Sequence, residues 1–231
     1  MKSAKAYSIL IVDDEVELCE AVATAFEMKG HKVTKAPSGQ QAIEFVKKSK
    51  FDLVLSDIRM NDGDGLKLLG YIKDMNLNRP VVALMTGYAD VTRDEMYEMG
   101  AEAVFEKPFK VMELIKQLTK SLDQKDDRWS AKPNVLPVFK IKIEGVQEAE
   151  FKLGRGGFAV KSGKQEPTMG QIIEFDLVLR AAPSHVAGQG VVRWVKSGWC
   201  GVEFLFLEEP MRGIVLGMID TVKSRTFIPK A

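Results

Sequence analysis

Short unbroken apolar runs alternate with amphipathic stretches over the first half of the chain. The runs are Ser8-Ile9-Leu10-Ile11-Val12, Lys32-Val33-Thr34, Leu53-Val54-Leu55, Val81-Val82-Ala83-Leu84-Met85 and Ala103-Val104-Phe105. Val, Ile and Leu without polar alternation suit strands covered by helices on both faces. Between the runs, Leu18, Val22 and Phe26 step at helical spacing, as do Val111, Leu114, Ile115, Leu118 and Leu122. Asp14 and Glu17 have the spacing of a capping box at the first helix start. Five strands alternating with five helices predict an α/β doubly wound parallel sheet of flavodoxin-like order.

The pattern changes after residue 122. Asp123-Gln124-Lys125-Asp126-Asp127-Arg128 is a charge run, and Pro133 and Pro137 follow. This stretch reads as a linker, either a rigid helical extension or a loose tether. Beyond it the period becomes two. Phe139, Ile141 and Ile143 share one face; Ile173, Phe175, Leu177 and Leu179 share another; Val192 pairs with Trp194, and Cys200 with Val202, Phe204 and Phe206. Glycine-rich connectors between such runs predict a small antiparallel β-barrel. A helix closes it, with a stripe of Met211, Ile214, Val215, Met218, Ile219 and Val222. The expected division is 1–124, a linker at 125–137, and a barrel at 138–231.

Composition narrows the classes without choosing one. With 45% hydrophobic and 28% charged residues the chain is an ordinary folded protein. Two cysteines exclude a disulfide scaffold. Thirty-three basic against 32 acidic residues give no global pull toward nucleic acid or anionic lipid. No apolar run reaches the length of a membrane helix, so a cytoplasmic protein without membrane insertion is expected. Cys19 reads as packing and His31 as a solvated turn residue.

In an open parallel sheet, ligands gather at the carboxyl ends of the strands. Those ends carry Asp13-Asp14, Asp57, Thr86 and Glu106-Lys107-Pro108. Three neighbouring carboxylates either rise in pKa or surround a cation, and magnesium suits an oxygen-only donor set with room left for a phosphate. A carboxylate beside such an ion can attack phosphorus, and Asp57 on the central strand is placed for it. Lys107 would then pair with a phosphoryl oxygen and Thr86 donate to another. Asn61-Asp62-Gly63-Asp64-Gly65 suggests a calcium loop, but Arg59, Asp62 and Leu68 stand at positions where ligands or glycine are needed. It reads better as a turn before a helix.

On Asp13-Asp14, Asp57, Thr86 and Lys107-Pro108, residues 7 to about 123 resemble the receiver domain of two-component response regulators. The resemblance implies phosphoryl transfer from a sensor histidine kinase to Asp57 with Mg2+. The ion would be held by Asp13, Asp14, Asp57 and the backbone carbonyl of Arg59. It implies a switch at Thr86 and Phe105, a phosphorylation-dependent homodimer, and no enzyme activity beyond self-dephosphorylation. Bulky Arg59 and Tyr88, which flank the path of the hydrolytic water in this family, predict slow loss of the phosphoryl group.

Residues 128 to about 224 resemble the PilZ domain, whose members often bind cyclic di-GMP. The resemblance rests on Gly190-Val191-Val192-Arg193-Trp194-Val195 and Gly201-Val202-Glu203-Phe204. The ligand motifs depart from the family. Arg128-Trp129-Ser130-Ala131-Lys132 has lysine where a second arginine is expected, which removes a bidentate donor. Lys152-Leu153-Gly154-Arg155-Gly156-Gly157 has lost the guanine-binding carboxylate or amide and the serine. Arg128, Lys132 and Arg155 remain as contacts to cyclic di-GMP or to a partner. The reading favours a degenerate module working through an unidentified downstream protein, with cyclic di-GMP binding as the alternative. DNA binding is disfavoured, because residues 138–206 read as strands rather than a helix-turn-helix.

Overall fold

The computed structural model describes residues 5–61, 63–87, 91–122, 128–138, 140–146, 150–162, 167–179, 185–221 and 223–231. Among these residues, five strands form a parallel sheet: β1 (Ser8–Val12), β2 (Lys32–Ala36), β3 (Leu53–Asp57), β6 (Val81–Thr86) and β7 (Ala103–Glu106), in the order β2-β1-β3-β6-β7. This is the flavodoxin-like order. The interior strands β3 and β6 are buried along their whole length, whereas β2 at the edge is mostly open. The apolar runs therefore report coverage on both faces.

Helices α1 (Val16–Glu27), α2 (Gly39–Lys48), α3 (Gly65–Met75), α4 (Arg93–Glu98) and α5 (Val111–Ser121) alternate with the strands. One core joins Ile9, Ile11, Leu53, Leu55, Ala83 and Met85 of the sheet to Val22 and Phe26 of α1 and Leu114, Ile115 and Leu118 of α5. Cys19 is buried in it, as packing. His31 corrects the expectation of a solvated turn. It is buried, accepts from the Tyr7 N–H, and packs beside Tyr7 and Phe26. The capping box is also absent: α1 begins after Glu15 with no side-chain cap, because the Asp14 carboxylate bonds elsewhere. A buried Lys73–Glu102 pair at 2.7 Å fastens α3 beside the sheet, and Glu102 also accepts from the Val82 N–H. Residue 62 of the turn expected at 61–65 lies outside the described residues, and the flanking positions pair ahead of α3. β4 (Arg59–Met60) pairs with β5 (Gly63–Asp64), and Asp64 caps α3 through the Leu66 N–H.

The second sheet has the strands β8 (Lys140–Val146), β9 (Phe151–Leu153), β10 (Gly157–Lys161), β11 (Ile172–Leu179), β12 (His185–Lys196) and β13 (Trp199–Leu207), in the order β8-β11-β12-β13-β10-β9. It departs from the expected antiparallel barrel in two ways. β8 runs parallel to β11, so the sheet is mixed. Among the described residues it is curled but open, with β8 and β9 as its edges. Alternation along a strand reports one buried face and says nothing about the direction of its neighbour.

Ile141, Phe158, Ile173, Phe175, Leu177, Val192, Cys200, Val202 and Phe204 fill that face, with Trp194 also buried. A register shift between β12 and β13 sets Gly190 against Phe204 and Gln189 against Phe206. The bulge turns Leu207 inward and leaves Phe206 half-buried, where alternation predicts the opposite. Helix α6 (Met211–Thr221) packs through Met211, Val215 and Ile219, while Ile214 and Met218 stay exposed, so its contact is a single i, i+4 line. Residue 222, residue 139 and the side chains of 143 and 179 lie outside the described set.

The chain divides into two units, Met1–Thr92 with Met99–Leu122, and Arg93–Glu98 with Asp123–Ala231. Helix α4 thus packs with the second. Among the described residues no helix is long and apolar enough to cross a membrane.

Candidate functional site

At the carboxyl edge of the parallel sheet, four of the five strands each deliver a polar group. Asp13 follows β1, Asp57 ends β3, Thr86 ends β6, and Lys107 follows β7. Asp13, Asp57 and Thr86 are buried at 2%, 7% and 6% exposure, while Asp14 is half-buried. Carboxylate oxygens of Asp13, Asp14 and Asp57 lie within 4.8 Å of one another. The Lys107 ammonium sits 3.1 Å from Asp13, 2.9 Å from Glu15 and 3.2 Å from Asp57. The Lys107 N–H also donates to the Thr86 carbonyl at 2.7 Å, tying the lysine to the end of β6.

Two supports were not foreseen. Glu15 extends the acidic run and shares Lys107. Asn61 holds Asp14 by its backbone and side-chain N–H groups at 3.0 and 2.8 Å. Gly65 matters for a steric reason: a Cβ there would stand 2.1 Å from the Asp57 carbonyl oxygen, so only glycine lets α3 begin beneath β3.

Burial pushes the Asp57 carboxyl above the usual carboxylate range; Lys107 pulls it back, and Asp13 adds to the rise. Burial works against the Lys107 charge, but Glu15, Asp13 and Asp57 outweigh it and hold the ammonium above the ordinary lysine range. One ammonium does not neutralise three carboxylates. The donor set is oxygen only, as a hard divalent cation such as magnesium requires. Among the described residues the buried Thr86 hydroxyl has no hydrogen-bond partner, which leaves it available to a group entering the pocket. That pocket, of about 310 Å3, is lined by Glu15, Asp57, Ile58, Arg59, Thr86, Gly87 and Lys107. Phe105 is half-buried against the core and meets Phe109 edge-on. Tyr88 lies outside the described residues.

The residues singled out in the second unit have different surroundings. Lys132 is exposed and Arg128 half-buried. Arg155 is buried, its guanidinium donating to the Arg225 carbonyl through Nε and Nη2 at 3.3 and 3.2 Å and lying 5.8 Å over the Phe227 ring. Lys152 donates to the Lys230 carbonyl and lies over Trp199.

Comparison with known proteins bears on the first unit. The family described as "Response regulator receiver domain" matches residues 9–119. The transcriptional regulatory protein ZraR of Klebsiella oxytoca is 38% identical over 121 residues, covering 52% of this chain and 27% of that protein. The sporulation initiation phosphotransferase F of Bacillus subtilis is 33% identical over 120 residues, covering 52% of this chain and 96% of that protein. A solved receiver domain from Methanospirillum hungatei is 26% identical, covering 52% of this chain and 95% of that one, with a TM-score of 0.49. The chain thus spans only about a quarter of the length of ZraR. Receiver domains bind Mg2+ at an acidic pocket, which here is formed by Asp13, Asp14 and Asp57. By its first unit, this chain belongs to the response regulator receiver family.

Proposed function

We propose that the chain is a response regulator of a two-component phosphorelay, phosphorylated on Asp57 and signalling through its C-terminal unit. What carries the reading is the convergence of three carboxylates within 4.8 Å with Lys107 and a buried Thr86 hydroxyl that has no partner among the described residues. An Asp57 oxygen attacks the phosphorus of a phosphohistidine on a sensor histidine kinase. The new P–O bond forms as the P–N bond breaks, and the imidazole leaves with a proton. Mg2+, held by Asp13, Asp14, Asp57 and the Arg59 carbonyl, would offset charge on the phosphoryl oxygens. Lys107 pairs with one of those oxygens, and the Thr86 hydroxyl donates to another. Phe105 follows Thr86 in the switch.

The output reading is protein contact by a PilZ-like module. Its support over cyclic di-GMP binding is Arg155, whose guanidinium is committed to the Arg225 carbonyl. DNA binding stays disfavoured: the second unit is a mixed sheet with α6 bearing an apolar line, not a recognition helix.

The decisive test of the first claim is incubation with acetyl phosphate and magnesium. It should leave an acid-stable, base-labile mass increment on Asp57; its absence overturns the claim. Calorimetric titration of cyclic di-GMP tests the second, and saturable micromolar binding would overturn it.

A further inference from the structure

Helix α4 has six residues, too few to be stable alone. Within the second unit one stretch, residues 225–230, fastens it repeatedly. The Phe227 N–H donates to the Tyr97 carbonyl at 2.9 Å, and the two rings stack at 6.3 Å. Glu98 accepts from the Thr226 hydroxyl at 3.2 Å and from the Lys230 N–H at 2.9 Å. Lys196 of β12 adds an ion pair to Asp94 at 3.0 Å. Met96 and Tyr97 are buried.

The same stretch is fastened on its other side to the loop 154–157. The Arg155 N–H donates to the Thr226 carbonyl and the Gly156 N–H to the Phe227 carbonyl, at 3.0 and 2.9 Å. A Cβ on Gly156 would stand 2.0 Å from the Phe227 ring, so the missing side chain is the seat of that ring. Phe227 and Ile228 are buried. This loop is where the PilZ resemblance puts a ligand motif, and here the chain's own tail occupies it.

We propose that residues 225–230 are an intramolecular latch, clasping α4 on one side and the loop 154–157 on the other, and that loading the Asp57 site opens it. The opening step rests on the phosphoacceptor reading above. Its route is along the chain: residues 87–92 alone separate Thr86, whose hydroxyl has no partner among the described residues, from the start of α4. A Thr86 drawn toward an incoming phosphoryl group pulls on a helix whose fastenings include hydrogen bonds to 226–230, one ring contact and a half-buried ion pair. The latch is therefore an element with two arrangements that the phosphoacceptor site biases.

Hydrogen exchange of the full chain, followed on peptides covering 93–98 and 225–230, tests both parts. Glu98→Ala should speed exchange in both segments about fivefold or more while β12 and β13 stay protected. Lys196→Ala, a change at an exposed position, should do so more weakly and in α4 first. Unchanged exchange in both variants overturns the latch. In the wild type, beryllofluoride with magnesium serves as the phosphoryl mimic, its binding followed by fluorine NMR, and should speed exchange in both segments. Binding without that change overturns the opening step. Failure of beryllofluoride to bind removes the phosphoacceptor reading and the opening step together, and the two variants still decide whether the latch exists.

Discussion

Two cationic side chains stood out in the sequence, Lys107 as a phosphate contact and Arg155 as a contact to cyclic di-GMP or a partner, and their surroundings differ in kind. Lys107 stands among Asp13, Glu15 and Asp57 at the mouth of an open pocket, surrounded by more negative charge than it can offset. Arg155 is sealed in, on a carbonyl of its own chain and above an aromatic ring. A charged group signals ligand chemistry when its neighbours leave charge or donors unspent. A satisfied one signals architecture.

The strongest way to break this contrast is at Asp57. Asp57→Ala should abolish phosphate incorporation from acetyl phosphate, read by intact mass, whereas Arg155→Ala should leave it detectable. Lys107→Ala should slow incorporation by about a hundredfold, the usual effect of removing a donor aimed at developing charge; a rate within threefold of wild type would make Lys107 a structural ion pair. Arg155→Ala should instead appear in thermal or urea unfolding, destabilising the second unit by about 1.5–3 kcal/mol through the lost charge-assisted hydrogen bonds to the Arg225 carbonyl.

A smaller effect sharpens the electrostatics. Asp57 has a pKa above its usual 3.8, so its ionised form costs the folded state stability. That cost is complete above the raised pKa and gone below about the unfolded value. In chelator at neutral pH, Asp57→Asn should therefore melt above wild type by calorimetry, and the gap should close as pH falls through the carboxylate range. The smallest effect concerns lifetime: Arg59→Asn with Tyr88→Ala should shorten the phosphoryl half-life several-fold, and unchanged decay would remove the two side chains from the water's path.

The acidic edge was legible because a parallel sheet converts strand ends into a site. Once each apolar run had been read, Asp13, Asp57, Thr86 and Lys107 fell together. Glu15 and Asn61 were not legible, because their roles depend on where α1 starts and how the turn after Arg59 folds back. The second unit was less readable for a related reason. Period-two alternation located the inward faces of β11, β12 and most of β13, yet strand direction is set by distant pairings, as β8 and β11 demonstrate. Nothing local in Tyr97 announces that it packs with Phe227, more than a hundred positions away.

The parallel β8–β11 ladder has a consequence for assembly. β8 leaves the ribosome before β9 and β10, but no hairpin can seat it. Its partner β11 emerges only after both, and joining them closes a long loop. The antiparallel neighbours can zip first, so the earliest-made strand of this unit is docked late, and its bare edge needs shielding from neighbouring nascent chains until then.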